Sequence, residues 1–206
     1  MFPLGTVLLP GGVLPLHVFE PRYRALVQDC LVGAKEFGVA LIERGSEVGG
    51  GDVRSDLGTM AGIAEAKELP DGRWALLTVG LRRIRIEAWL DDDPYPRAEV
   101  VDWPDPELDA VAEDAMRAPL ADVIGRLRRV LALAAEAGDP VAPATVDLAE
   151  EPVLAGYQAA SLAPVGPLDR QHLLAAPDAA TRLALLSDLL DDAATVLQLR
   201  LGGGGR

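Results

Sequence analysis

Short apolar runs separated by turn residues characterise the first half of the chain. A continuous apolar run typically marks a buried strand, whereas alternation of apolar and charged side chains marks a half-exposed one. The turn sequence PDG at 70–72 is a hairpin signal between two such runs. On these patterns, strands are predicted at 37–42, 57–69, 74–79, 84–88 and 95–103.

The N-terminal segment 1–19 is almost wholly uncharged and could be mistaken for a signal or membrane segment. A signal peptide needs basic residues at its start, and the first base here is Arg22. Prolines and glycines also interrupt the run, which a membrane-spanning helix would not tolerate so densely. We therefore predict two short buried strands joined by the PGG turn at 10–12, and no membrane segment.

One helix is predicted inside this β-rich half. Pro21 suits a first helical position, because its missing N–H is not needed there, and Glu20 is placed to cap the helix. Cys30 falls on the apolar face and is predicted to be an inert core thiol. The apolar stripe of the predicted helix consists of Tyr23, Leu26, Val27, Cys30 and Leu31.

Helical periodicity dominates the rest of the chain. A long Ala- and Leu-rich helix is predicted within 107–137, two shorter helices follow, and a last long helix begins with Asp178 as its N-cap. The predicted class is α+β, with a β barrel-like half followed by an α-helical bundle. The predicted domain organisation is a β-rich subdomain at 1–105, a helical bundle at 106–201 and a flexible tail at 202–206. A mobile loop is predicted at 49–51.

Composition narrows the function classes. Hydrophobic residues make up 50% of the 206 residues and charged residues 25%, which excludes wholesale disorder. The formal net charge of −13 argues against nucleic-acid binding, which depends on Lys and Arg. Only Lys35 and Lys67 among the nineteen bases are lysines, and this Arg- and Ala-rich usage resembles that of a high-GC bacterium. We expect a cytoplasmic protein.

Catalytic motifs are scarce. Neither lysine belongs to a Gly-Lys-Ser/Thr phosphate loop, and none of the four serines lies in a Gly-x-Ser-x-Gly frame. A Ser-His-acid triad stays open, because its members need not be neighbours in sequence. One cysteine and two histidines offer little for a metal site. We therefore expect no enzyme activity, no cofactor and no metal, with a small hydrolase using an unrecognised site as the alternative.

Several ordered segments together resemble the N-terminal substrate-binding domain of Lon proteases. The most distinctive is LPLHVFEPRYR at 14–24, preceded by FPLGTVLLPG at 2–11. The resemblance continues through nearly the whole chain in the segments FGVALI (37–42), LGTMAGI (57–63), LPDGR (69–73), VGLRRIRI (79–86), PYPRAEV (94–100), YQAASL (157–162), LDRQHLL (168–174) and TRLALLSDLL (181–190).

The resemblance implies a PUA-like pseudobarrel with one helix, followed by a helical bundle, which agrees with the pattern above. It also implies a stand-alone member without the ATPase and protease domains, working as a non-catalytic protein- or peptide-binding module and adaptor in protein quality control. The partners it implies are unfolded or degron-bearing proteins, an ATP-dependent protease and further copies in an oligomer. No nucleic acid or membrane is expected, although PUA-like RNA binding stays an alternative.

Three residues are candidates for contacting a protein partner. Tyr and Trp dominate apolar contacts, and Tyr95 and Trp103 lie beside proline-rich turns, where exposure is favoured. His17 is a third candidate, taken from the motif that carries the resemblance. The alternative reading of both aromatic rings is that they belong to the core or cap the barrel.

Overall fold

The computed structural model describes residues 1–45 and 53–203. It divides into two compact units, Met1–Pro104 and Asp105–Arg206. The mobile loop predicted at 49–51 lies outside the described residues. Among the described helices, none has the length and apolar content required to cross a membrane.

The first unit is built on a mixed sheet. Its strands are β1 (Phe2–Leu4), β2 (Val13–Val18), β3 (Glu36–Arg44), β4 (Val53–Glu68), β5 (Trp74–Leu90) and β6 (Arg97–Asp102). Strand β3 pairs in parallel with β1 and antiparallel with β4. Strand β5 pairs antiparallel with β4, and also with β2 near its start and β6 near its end.

The N-terminal prediction needs a correction. Strands β1 and β2 both exist, as predicted, and they pair with β3 and β5 respectively. Strand β2 is not buried as predicted, because it lies at a sheet edge: Val13, Pro15 and His17 are exposed while Leu14 and Leu16 are half-buried. An edge strand with one solvent-facing side shows this alternation even when its sequence is apolar throughout.

The hairpin predicted at 70–72 is confirmed, but the strand after it is longer than predicted. The Leu69 backbone N–H donates to the Arg73 carbonyl, the Gly72 N–H donates to the Leu69 carbonyl, and Gly72 has a φ of 77°, which favours glycine. The two predicted strands at 74–79 and 84–88 form one strand, β5, through Gly80. An added Cβ at Gly80 would lie 2.2 Å from the Leu9 carbonyl oxygen, so glycine is needed for this close backbone approach.

Helix α1 (Pro21–Val32) begins at the predicted proline and packs its apolar face into the core of the sheet. Its N-cap prediction is wrong in detail. Glu20 occupies the N-cap position, but its carboxylate makes no capping hydrogen bond and pairs instead with Arg22 Nε at 3.0 Å. The aromatic part of this core is well ordered by stacking, since the Phe2 and Tyr23 rings lie 4.1 Å apart and nearly parallel.

The described part of the second unit, residues 105–203, contains four helices, as predicted: α2 (Ala110–Glu136), α3 (Pro152–Leu162), α4 (Pro167–Ala175) and α5 (Ala179–Gly203). Asp109 caps α2 and Asp178 precedes α5, where its carboxylate accepts a hydrogen bond from Thr181 N at 2.7 Å. Helix α5 extends two residues into the tail predicted to be flexible, and residues 204–206 lie outside the described residues.

Helices α2 and α5 run side by side in the same direction. Arg126 of α2 pairs with Asp191 of α5, and Arg200 of α5 pairs with Asp139 just beyond α2 at 2.8 Å. The higher-numbered position near α2 thus pairs with the higher-numbered position of α5, as in two parallel helices. Along the inner face of α2, Ile124 is only half-buried, whereas its neighbours on that face are buried: Leu120, Val123, Leu127, Leu131 and Ala134.

A buried ion pair lies at the core of the second unit. Arg182 of α5 is fully buried, and its Nη2 donates to Asp105 Oδ1 at 2.6 Å. The guanidinium also lies 3.7 Å from the centre of the Tyr157 ring, and its Nε donates to the Leu173 carbonyl. The Tyr157 hydroxyl donates to the other oxygen of Asp105 at 2.7 Å. One charged network thus joins the start of this unit to α3, α4 and α5.

Candidate functional site

A small aromatic cleft lies where strands β1 and β2 approach each other without pairing. We call it the β1–β2 cleft; its lining residues are Phe2, Leu4, Leu16, His17, Val18, Phe19, Glu20 and Tyr23. The stacked Phe2 and Tyr23 rings belong to the core cluster, so the cleft has a rigid aromatic wall. Its volume of about 110 Å³ suits a single apolar side chain rather than a larger ligand.

The rim of this cleft carries an exposed aromatic side chain, that of Phe19. The Phe19 side chain is 59% exposed, and His17 two residues earlier is also exposed. Both positions continue the outward-facing side of β2, since successive side chains alternate between faces. An exposed aromatic side chain beside a preformed pocket is the kind of anchor that dominates protein contacts.

Strand addition at these edges is disfavoured. Pro3 lies in β1 and Pro15 in β2, and proline has no N–H to donate to an incoming strand. The cleft is therefore suited to recognising a side chain rather than to extending the sheet with a bound peptide. Its charged groups are balanced locally: Arg22 pairs with Glu20 and lies 4.6 Å from the centre of the Tyr23 ring.

Tyr95 is tied to helix α1. Its ring is half-buried against the core, and its hydroxyl donates to Asp29 Oδ2 at 2.7 Å. That hydrogen bond, together with partial burial, raises the pKa of Tyr95 from 10 to about 12. The structure therefore gives this side chain a definite structural contact on the polar edge of its ring.

Trp103 is covered on one side by arginines. The Arg83 guanidinium lies 4.2 Å and that of Arg85 5.2 Å from the centre of its ring, and the backbone N–H of Trp103 donates to the Arg83 carbonyl. The neighbouring Arg82 is also engaged, because it pairs with Glu36 and Asp102 at 2.9 Å each. Trp103 itself is half-buried.

Comparison with known proteins identifies the family. The family model described as "ATP-dependent protease La (LON) substrate-binding domain" matches residues 1–192. The chain belongs to the Lon substrate-binding domain family. Lon protease 2 of Herpetosiphon aurantiacus is 31% identical over 199 residues, which cover 95% of this chain and 24% of the relative. The chain thus spans about a quarter of the length of the curated relatives it matches.

Solved structures agree with this assignment. A Lon N-terminal domain protein from Xanthomonas campestris shares 31% identity and a TM-score of 0.62, covering 90% of this chain and 94% of that one. The N-terminal domain of the Mycobacterium avium complex Lon protease, at 22% identity and the same TM-score of 0.62, shares the fold. The α+β class and the PUA-like β unit followed by a helical bundle are thereby confirmed.

Two side chains of catalytic type in this Lon-family domain, Cys30 and Ser161, donate hydrogen bonds to backbone carbonyls. Within the described part of the chain, no three His, Cys, Asp or Glu side chains are grouped to hold a metal ion. Cys30 Sγ donates to the Glu36 carbonyl at 3.3 Å, and burial raises the pKa of the thiol, which lowers its reactivity. Ser161 Oγ donates to the Tyr157 carbonyl at 3.0 Å. Ser46 lies outside the described residues.

Of the residues that line this cleft, His17 is a candidate from the sequence motif, whereas Phe19 is not. The signal was present, because Phe19 follows Val13, Pro15 and His17 at a spacing of two residues along an edge strand. No local sequence pattern shows that the sheet edges formed by β1 and β2 meet beside Phe19. Tyr95, Trp103 and His17 are spread over the first unit; of these three, only His17 lines the β1–β2 cleft.

The Tyr95 hydroxyl gives a pH-dependent prediction. Because the folded state raises the Tyr95 pKa from 10 to about 12, the unfolded chain loses this proton first, and the free energy of unfolding falls as pH rises through that interval. Tyr95→Phe should lower the free energy of unfolding by about 1 kcal/mol at pH 8. Between pH 10 and 12 the free energy of unfolding of Tyr95→Phe should then fall less than that of wild type. Urea denaturation at both ends of the interval measures this, and identical alkaline losses in both proteins would contradict it.

Proposed function

We propose that this Lon-family domain is a non-catalytic module of the cytoplasm that binds unfolded or degron-bearing polypeptides and serves as an adaptor in protein quality control. The observation that carries the proposal is the 59% exposed Phe19 ring on the rim of the β1–β2 cleft, in a family described as substrate-binding. An ATP-dependent protease is the proposed recipient of the bound polypeptide.

The physical basis is transfer of an apolar side chain into a preformed aromatic pocket. Unfolded proteins expose apolar side chains that folded proteins bury, so a pocket for one such side chain discriminates between the two states. Burial against Phe19 and the wall formed by Phe2 and Tyr23 supplies affinity without a fixed sequence. His17, with donor and acceptor nitrogens on the same rim, can hydrogen-bond the backbone of the bound segment.

The proposal is tested by measuring the affinity of a permanently unfolded polypeptide, reduced, carboxymethylated and fluorescently labelled. Phe19→Ser should raise its Kd about 30-fold, the equivalent of about 2 kcal/mol for an aromatic anchor. Val32→Ser is the matched control, because Val32 is 92% exposed at the end of α1 and does not line the cleft. Its Kd should stay within about twofold of wild type, as a surface change permits.

Further variants and added salt sharpen the test. His17→Ala, Tyr95→Ala and Trp103→Ala, each checked for folding by circular dichroism, locate the contact surface among the sequence-predicted candidates. Apolar binding should persist in added salt, which screens charge contacts instead. Unchanged binding by folded Phe19→Ser would remove the cleft from the mechanism, and complete loss in moderate salt would refute apolar recognition.

A further inference from the structure

The second unit carries an open apolar groove between helices α2 and α5. We call it the α2–α5 groove; its walls are formed by the small residues Ala112, Ala115 and Pro119 of α2 and Ala180, Ala184 and Ser187 of α5. Buried Met116 and Leu183 form its floor. Its volume of about 530 Å³ exceeds that of the β1–β2 cleft nearly fivefold, so it can accept several side chains at once.

The groove has the geometry that a third helix requires. On both helices its wall residues recur at spacings of three and four, which is the ridge-and-groove pattern of helix packing. Small side chains on both walls let another backbone approach closely. A second concavity of about 440 Å³ continues along the same two helices as far as Val130 and Ala194. Positions 112 to 130 of α2 correspond to about 27 Å of helix.

The charge around the groove is strongly acidic. The second unit contains sixteen acids and eight arginines. Asp122 lines the groove itself, and the exposed Asp188 adjoins its wall residue Ser187. At the open end, Leu108 is shared with a neighbouring pocket lined by Glu107, Glu113 and Glu151, among other residues.

Two arginines near the groove are already paired with acids, while Arg129 lines the continuing concavity. Arg117 pairs with Glu113 and Asp114, and Arg126 pairs with Asp122 and Asp191. The Ala115 carbonyl is a further acceptor in the wall. It receives no N–H from position 119, because that residue is proline. An apolar floor with acceptors along its edge complements a ligand with an apolar face and basic flanks.

From this geometry we infer that the α2–α5 groove binds a basic amphipathic helix of a partner protein, with its apolar face on Met116 and Leu183 and its Lys or Arg side chains toward Asp122 and Asp188. This goes beyond the proposed function: it concerns a different surface, and it recognises a helical, cationic segment rather than an unfolded apolar one. Helix-in-groove recognition uses apolar anchors at the same spacings of three and four.

The test uses a fluorescent 18-residue peptide with leucine at positions i, i+3, i+4 and i+7 and lysine elsewhere. Two comparison peptides replace lysine with glutamate or scramble the order. The full chain should bind the basic peptide, with the other two at least tenfold weaker. Ala115→Gln with Ala184→Gln should raise the Kd at least tenfold, since longer polar side chains at these exposed wall positions fill the groove.

Ala132→Gln is the matched control, because Ala132 is an exposed alanine of α2 outside the groove and should leave the Kd unchanged. Asp188→Asn should weaken the basic peptide severalfold and leave thermal unfolding unchanged. Equal binding of the scrambled peptide, or full binding by the folded Ala115→Gln/Ala184→Gln variant, would overturn the inference. Loss of peptide binding in Phe19→Ser, with binding kept in the groove variants, would also overturn the inference, because it would place the peptide in the β1–β2 cleft. We expect the groove variants to bind unfolded polypeptide as wild type does.

Discussion

Replacing Arg182 with methionine should lower the free energy of unfolding by about 3–5 kcal/mol, the usual cost of removing one partner of a buried ion pair. The Arg182 side chain is 1% exposed and that of Asp105 9% exposed, so water cannot replace the lost guanidinium. Asp105 would keep the Tyr157 hydroxyl but lose its counter-charge, and Tyr157 would lose the cation stacked on its ring. Methionine preserves most of the volume, which isolates the charge effect.

A double-mutant cycle separates this loss from simple repacking. Asp105→Asn combined with Arg182→Met should be less damaging than the two single changes added together, because no unpaired charge remains. Arg128→Met is the control, since Arg128 is an exposed residue of α2 and its replacement should change stability by about 0.5 kcal/mol or less. Urea denaturation measures all four variants. Arg182→Met within 1 kcal/mol of wild type would contradict the assigned role of the pair, on the scale given above.

The sequence predicted elements whose signals are local. Pro21 starts α1, Asp178 precedes α5, and the turn at 70–72 joins β4 to β5, because each depends on backbone geometry that one or a few residues impose. It could not predict Arg182 as a core residue. An arginine beside an apolar helical stripe is usually solvated, and its burial here depends on partners distant in sequence, above all Asp105.

The candidate site shows the same division. The exposure of His17 could not be predicted, because the segment 13–19 has no alternation of apolar and charged residues and only its position at a sheet edge exposes one side of β2. Once that edge is known, Phe19 is found by continuing the alternation two residues. The cleft itself depends on strand order: β1 pairs with β3 and β2 with β5, which leaves two sheet edges side by side. Strand order is set by long-range pairing, so periodicity alone does not reveal it. The α2–α5 groove likewise requires knowing that the two helices run parallel.

Replacing Gly80 with alanine should destabilise the chain by about 3 kcal/mol, at the upper end for added volume in a packed site. The new Cβ would lie 2.2 Å from the Leu9 carbonyl oxygen and 2.9 Å from its carbon, and backbone cannot rotate away as a side chain can. Relief would require the 9–12 segment to move, which would break the hydrogen bonds from Gly80 N to the Gly12 carbonyl and from Gly11 N to the Gly80 carbonyl.

The 9–12 segment leads directly into β2, so its displacement should also change the β1–β2 cleft. The folded fraction of Gly80→Ala should therefore bind unfolded polypeptide more weakly than wild type. Gly125→Ala is the matched control, because nothing lies within 4 Å of an added Cβ in the middle of α2. There alanine should stabilise the helix by about 0.5–1 kcal/mol. Urea denaturation compares the two substitutions, and a Gly80→Ala protein as stable as wild type would show that the Leu9 contact relaxes without cost and that the register of β2 does not depend on glycine at this position.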